Sequence, residues 1–222
     1  MSEDPGRGTA PGDLPVVDPE SLGPATRNGP VVGVLLAAGE SERFGGSNKL
    51  LASVDGDTMV RRAARTLTGD DLEAVVAVVG HEADRVRAAL TGLPVEVVEN
   101  PDYASGQAAS VAVGTRAARE AGAVAVCFAL GDMPWVEPAT VSTLVAAYRA
   151  DAGDPLAAAV DGRRGNPTLF GARHFDALEA VDGDVGGRSL LLHDPRAALV
   201  ETGDPGVRRD VDEPGDLSAE AD

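Results

Sequence analysis

The stretch VVGVLLAAGESERFGGSNKLL, Val31 to Leu51, runs from seven apolar residues straight into a glycine-bearing loop. VVGVLLA is apolar without alternation, the pattern of a parallel strand buried on both faces. The loop that follows carries Gly39, Gly45 and Gly46, whose backbone N–H groups can surround phosphate oxygens, together with two cations, Arg43 and Lys49. Two common phosphate motifs do not fit. A Walker loop needs Lys directly after its second glycine, where Gly46 follows Gly45, and the dinucleotide fingerprint needs a glycine where Ser41 follows Glu40. A solvated turn with incidental charges would look the same by composition. Lysine usage separates the two readings, because Lys49 is the one lysine in a chain with eighteen arginines. Where Arg serves for every other surface charge, a retained Lys marks a place that needs a compact point charge with freely directed donors, such as a phosphate pocket.

Outward from this loop, short apolar runs alternate with amphipathic ones. AVVAVVG (74–80), VEVVEN (95–100), AVAVCFAL (123–130) and LAAAV (156–160) read as further strands. Between them, TMVRRAARTL (58–67), HEADRVRAAL (81–90), GQAASVAVGTRAARE (106–120) and EPATVSTLVAAYRA (137–150) have apolar residues at helical spacing. Strand and helix in alternation predict an α/β fold, a single domain with a mostly parallel open sheet flanked by helices. Ligands of such sheets collect at the carboxyl ends of the strands, so the loops after Ala37, Asn100 and Leu130 are expected to converge. A length of 222 residues suits one core. Residues 1–29, rich in Pro, Gly and acids without an apolar period, read as a disordered tail, 30–217 as the domain and 218–222 as a C-terminal tail.

The formal charge of -17 implies a surface that repels nucleic acid and anionic membranes, and an anionic ligand then needs a local cationic pocket or a metal. The lysine-poor, acidic composition is similar to that of salt-adapted, halophilic proteins. One cysteine, Cys127, allows no intrachain disulfide, and no apolar run approaches the roughly 18 residues of a membrane span. A soluble cytoplasmic chain is expected. Asp132, just past the apolar run CFAL, stands at the ligand edge of the sheet, where a carboxylate suits Mg²⁺ bound with phosphate oxygens; an ordinary turn acid is the other reading. In GRRGNPTLF (162–170) and GDVGGRSLL (183–191), glycines flank Asn166, Asp184 and Arg188, able to form a lip around a large polar ligand. Arg163 and Arg164 read either as steering an anion or as solvated hairpin charges. His81, His174 and His193 are scattered and read as structural, and Trp135 and Tyr103 sit in site-like loops where either could simply pack.

LLAAGESERFGGSNKLL (35–51) resembles the signature L-A-A-G-x-S-x-R-x-G-x-x-N-K-L-L of the molybdenum cofactor cytidylyltransferases, within the MobA-like nucleotidyltransferases. NPDYASGQAASV (100–111), GDMPWV (131–136), the two glycine-flanked segments above and DVDEPGDL (210–217) match in the same order, so the resemblance spans about Val31 to Leu217. It implies a Rossmann-like nucleotidyltransferase fold and transfer of CMP from CTP to the terminal phosphate of a molybdopterin-type cofactor, with release of pyrophosphate. Arg43, Lys49 and Asp132 would be catalytic. Leu36, Ala37, Ala38, Gly39, Ser41, Asn100, Gly106 and Ser110 would join them in binding the nucleotide. Asn166, Pro167, Asp184, Gly186, Gly187 and Arg188 would hold the acceptor, and Asp132 and Asp212 would hold Mg²⁺. Asp210 stays open as the second metal acid, and Asp212 could instead cap a terminal helix. A recipient molybdenum enzyme or its chaperone is the implied protein partner.

The alanine pair favours CTP, because the guanylyltransferases of the group show L-A-G-G and a methyl at Ala38 crowds a purine more than a pyrimidine. A GTP-using guanylyltransferase, transfer to another sugar or alcohol phosphate, and a nucleotide-binding regulator without turnover are the competing readings. Retention of both candidate metal acids argues against the regulator. Gly187 stands where the family usually has Ala, and Glu40 and Glu42 add negative charge to a loop expected to accept a triphosphate.

Overall fold

A computed structural model describes residues 14–41, 44–180 and 187–217. Ten strands occur among these residues: β1 Val16–Val17, β2 Val31–Ala37, β3 Ser53–Val54, β4 Asp57–Thr58, β5 Ala74–Val79, β6 Glu96–Glu99, β7 Ala125–Leu130, β8 Leu156–Val160, β9 Arg163–Gly171 and β10 Ala198–Glu201. The helices are α1 Met59–Thr66, α2 Ala83–Leu90, α3 Gln107–Glu120, α4 Pro138–Arg149, α5 Phe175–Glu179 and α6 Arg188–His193. Eight strands form one sheet in the order β1-β10-β8-β9-β7-β2-β5-β6, and β3 and β4 make a separate small hairpin. Pairing is parallel throughout the large sheet except along β9, which runs antiparallel to both β7 and β8.

The unbroken apolar runs fill the middle of the sheet because both faces are covered. Along β2, Val31, Leu35 and Ala37 enter one core while Val32 and Val34 enter the other, and β5 and β7 divide in the same way. This is the two-residue period of a strand with helices above and below it. Val60, Ala63 and Ala64 of α1, Val86 and Leu90 of α2, and Val141, Leu144 and Val145 of α4 cover the first face. Val111 and Ala118 of α3, Phe175 and Leu178 of α5, and Leu191 of α6 cover the second. Cys127, on central β7, is fully buried, and that burial pushes its thiol up to about 12. No helix of the described residues is long and apolar enough to cross a membrane.

Two elements depart from the sequence reading. The expected tail over 1–29 does not hold for residues 14–29, which pack on the sheet. Val16 and Val17 pair with Leu199 and Val200, and Leu199 N–H donates to Pro15 O at 2.8 Å. The Arg27 guanidinium lies over the Tyr148 ring, 4.5 Å from its centroid. A two-residue strand is too short to show a period, yet it covers an edge that β10 would otherwise expose. Residues 1–13 and 218–222 lie outside the described residues. The second departure is β9. Its charged start and internal Pro167 hid a nine-residue strand, reached from β8 through the turn Asp161-Gly162, where φ is 52° and 68°. Positive φ at both turn residues is the two-residue hairpin geometry that matches strand twist.

Candidate functional site

The loops after β2, β6 and β7 do converge, on a cleft of about 610 Å³ at the carboxyl ends of the parallel strands. Leu36, Ala38, Gly39, Glu40 and Ser41 line it from the first loop, Tyr103 to Gln107 with Ser110 from the second, and Leu130 with Asp132 from the third. Lys49 and Asp212 close it on one side.

Lys49 opens a single 3-10 turn, Lys49–Leu51, capped by the buried Asn48, whose side chain accepts from Leu50 N–H at 3.0 Å. Lys49 N–H donates to Ser41 Oγ at 3.1 Å, so the two ends of the loop are tied. Its ammonium donates to Asp132 Oδ2 at 2.7 Å, to Val211 O at 2.9 Å and to Asp212 Oδ1 at 3.1 Å. Burial alone would push the ammonium down, but the Asp132 and Asp212 carboxylates outweigh it and hold Lys49 above its ordinary value. It is therefore a full positive charge at neutral pH.

Asp132 follows Gly131, whose N–H continues the sheet by donating to Leu36 O at 2.9 Å. Its backbone carbonyl accepts from Val211 N–H at 3.0 Å, which brings the C-terminal segment, and with it Asp212, to the mouth of the cleft. Asp216 accepts from Asp212 N–H at 2.9 Å and Glu213 N–H at 2.8 Å, and these two backbone bonds hold its carboxyl below the usual range. Asp210 is exposed and outside the lining. Phe44, Val54, Met59 and Val211 form a small separate core with Trp135 and Leu217 packed on it, joining the first loop to the acidic segment.

The second loop carries a 3-10 turn over Tyr103–Ser105 and then Gly106, at φ 108°, from which α3 starts. The first turn of α3 faces the cleft through Gln107 and Ser110. The positive end of a 14-residue helix thus points into it. Asn100 is buried and lies outside the lining; it donates to Ser110 Oγ at 3.0 Å and accepts from Asp102 N–H at 3.0 Å, so it acts on the cleft through Ser110 and the turn. Ala37 also lies outside the lining, on the core side of β2, which leaves Ala38 as the alanine of the pair that lines the cleft. A Cβ on Gly80 would come within 2.5 Å of Tyr103 Cβ and 2.9 Å of Ala38 Cβ, so only glycine at 80 lets both side chains pack this closely on the backbone there.

A second cavity of about 250 Å³ shares Leu36, Gln107 and Leu130 with the first. Asn166, Gly187 and Arg188 line it as the sequence suggested, with Arg164, Phe128 and Phe170. Pro167 is on β9 but not in the lining, and Arg43, Glu42, Asp184 and Gly186 lie outside the described residues. Burial first, then the nearby Arg188, pushes Arg164 below its ordinary value. Sequence reasoning missed Gln107 as a lining residue and left Tyr103 and Arg164 undecided. The position of Gln107 directly after Gly106 was the available signal.

Asp132 Oδ1 is buried and has no hydrogen-bond partner among the described residues. A carboxylate oxygen left unsatisfied beside a second carboxylate fits a hard divalent ion that draws its remaining ligands from water and phosphate.

The chain is 34% identical over 189 residues to the nicotine blue oxidoreductase of Paenarthrobacter nicotinovorans, covering 82% of this chain and 92% of that one. It is similar in structure to Rv0371c of Mycobacterium tuberculosis H37Rv, with TM-score 0.72, 29% identity, and coverage of 84% of this chain and 95% of that chain. Rv0371c has also been solved as a complex with manganese, at TM-score 0.66, 29% identity and coverage of 85% and 96%. A nucleotidyl transferase from Methanothermobacter thermautotroptrophicus superposes with TM-score 0.70 at 27% identity, over 85% of this chain and 94% of that one. The profile of the MobA-like NTP transferase domain matches residues 33–198, which carry all of both cavities except Asp212, and the chain belongs to that family.

Proposed function

We propose that this protein is a Mg²⁺-dependent cytidylyltransferase that moves CMP from CTP to the terminal phosphate of a molybdopterin-type acceptor in the cytoplasm. The observation that carries the reading is one fully charged lysine between two carboxylates at the wall of a cleft that opens into a second, arginine-lined cavity. A phosphate oxygen of the acceptor attacks the α-phosphorus of CTP, a new P–O bond forms, and the bond to the β-phosphate breaks with its electron pair leaving on pyrophosphate. The nucleophile is already an anion, so positioning and charge neutralisation matter more than a general base.

The Gly39 loop and the amino end of α3 would cradle the nucleotide, and Lys49 with Arg43 would offset charge on the phosphates. Asp132 and Asp212 would hold the divalent ion, which supplies further neutralisation when bound. Ala38 and Tyr103 both line the cleft, and the Ala38 methyl would crowd a purine more than a pyrimidine. Arg164 and Arg188, above Phe128 and Phe170, would receive the acceptor, with Asn166 hydrogen-bonding its polar edge. A recipient molybdenum enzyme would take the product. With Glu40 at the cleft and Glu42 beside it in sequence, exposed repulsion toward the triphosphate should fall as salt is added.

Incubation with each of the four NTPs, Mg²⁺ and molybdopterin, followed by mass analysis, tests this reading. The cytosine dinucleotide should form from CTP alone, and a GMP adduct or a product on another sugar or alcohol phosphate would redirect it. Identity to the Paenarthrobacter protein supports a second reading, an oxidoreductase. Consumption of a reduced nicotinamide or flavin with a dye acceptor, and no pyrophosphate from any NTP, would favour it.

A further inference from the structure

An ammonium has three hydrogen-bond donors, and all three of Lys49's are taken, by Asp132 Oδ2, Val211 O and Asp212 Oδ1 at 2.7, 2.9 and 3.1 Å. None is left for a phosphate oxygen. The two carboxylates are the same acids that would hold a divalent ion, so the lysine and the ion compete for one seat. Lys49 and Asp132 keep only 15% and 22% of their side-chain surface exposed, and at such a site two cations a few ångströms apart repel far more than in bulk water. Removing both cations would leave two carboxylates facing each other, which is also unfavourable. Among the described residues no group of three His, Cys, Asp or Glu side chains converges to hold a metal. Two carboxylates are therefore what these residues offer, and an ion that prefers six oxygens must bring the rest with it as water and phosphate.

We infer that the Lys49 ammonium occupies the seat of the divalent ion in the nucleotide-free protein and is exchanged out of it when the nucleotide arrives. Resting on the nucleotidyl transfer reading, this adds an order of binding. The triphosphate draws Lys49 away from Asp132 and Asp212, and the ion that comes with the nucleotide takes over the carboxylates. The exchange removes the surplus negative charge of the resting site. One positive charge faces two carboxylates at rest; afterwards a doubly charged ion faces them while Lys49 faces phosphate. Before nucleotide binds, Lys49 also pins the C-terminal segment through Val211, which keeps both acids in place without a metal.

Mn²⁺ alone is the probe, titrated into nucleotide-free wild type, Lys49→Met, Lys49→Arg and the double variant Lys49→Met, Asp132→Asn, with free Mn²⁺ read by electron paramagnetic resonance. Circular dichroism confirms that each is folded, and Lys49→Gln replaces the Met variant if that one is not. Wild type should bind weakly. Lys49→Met should bind one Mn²⁺ roughly ten- to hundredfold more tightly, the gain expected when a competing charge leaves a half-buried site. Lys49→Arg, which keeps the charge, should show no gain, and Asp132→Asn should erase it. Affinity in Lys49→Met equal to or below that of wild type would overturn the inference, because Lys49 would then only be ordering the acids. Tight Mn²⁺ binding by wild type without nucleotide would overturn it as well. Failure of CMP transfer with the Mn²⁺ pattern intact would instead count against the proposed function alone.

Discussion

Two ion-pair clusters stand at opposite edges of the sheet, and they differ in how far their charges are matched. At the carboxyl edge, among the described residues, Lys49 serves two carboxylates. At the amino edge the buried carboxylate Asp154 sits among matched pairs, since Asp151 also pairs with its neighbour Arg27 and Asp194 with its neighbour Arg173. Asp154 accepts from Gly171 N–H and Arg173 Nε at 2.9 and 2.8 Å, lies 3.2 Å from His174 Nε2, and is 3.7 Å from Arg27 Nη1. Only 4% of the Asp154 side chain is exposed, against 37% for Asp212. Acids and guanidiniums matched in this way leave little charge over, so that cluster closes on itself and binds the N-terminal segment and the β8, β9 and α6 ends together. Among the described residues Lys49 alone faces two acids, which leaves negative charge over, and at the mouth of a cleft that surplus favours exchange for a doubly charged ion. The same ion-pair chemistry thus gives a structural knot at one edge and a site at the other.

Replacing Lys49 by Met should break the contrast most sharply. We expect pyrophosphate release to fall about 10²- to 10³-fold, the cost of losing one preorganised group at developing charge, with a smaller loss of stability than Asp154→Ala causes. Asp154→Ala should do the reverse. It removes the buried acceptor of Gly171 N–H and leaves Arg173 with Asp194 alone, and should destabilise by about 3–5 kcal/mol in denaturant titration, with the activity of the folded fraction retained. Swapped outcomes would mean that the roles of the two edges are swapped.

The clusters should also fail at opposite ends of the pH scale. Although burial alone would raise it, the His174, Gly171 and Arg173 contacts hold Asp154 at about 2, below its ordinary 3.8. Its contribution is present above pH 3.8 and lost as the pH falls toward 2, and it should appear as about 2 kcal/mol of acid destabilisation absent from Asp154→Ala. Lys49 is raised above 10.5, so its contribution is present below that value and lost only as the pH rises through its raised pKa. An alkaline loss of stability that Lys49→Met abolishes would check this. A smaller effect is expected at the second cavity, where Arg164→Gln should raise KM for the acceptor about tenfold and leave KM for CTP alone, as for one charge-assisted contact.

Much of this was legible in the sequence because it rests on local pattern. Unbroken apolar runs specify strands covered on both faces, and glycines directly after such a run put a ligand loop at a strand end. The lone lysine pointed to the carboxyl edge for a compositional reason, independent of any fold. What escaped was what depends on distant partners. Val16–Val17 is a strand only because β10 offers an edge, and Arg163–Gly171 is one only because β7 and β8 flank it. Ala37 and Asn100 stand in site-like motifs yet lie outside the lining, since alternation along β2 turns Ala37 to the core and Asn100 spends its side chain on Ser110 and Asp102 N–H. No local signal announced that Lys49 bonds two acids 83 and 163 residues away.

CTP labelled at the α-phosphorus, supplied with Mg²⁺ and molybdopterin, tests the central claim most directly. Label should move into the pterin product in step with unlabelled pyrophosphate, and the transfer should vanish in Lys49→Met while persisting in folded Asp154→Ala. Label that remains in CTP or appears only as free CMP, or transfer that survives the loss of Lys49, would contradict the assignment of the carboxyl edge as a nucleotidyl transfer site.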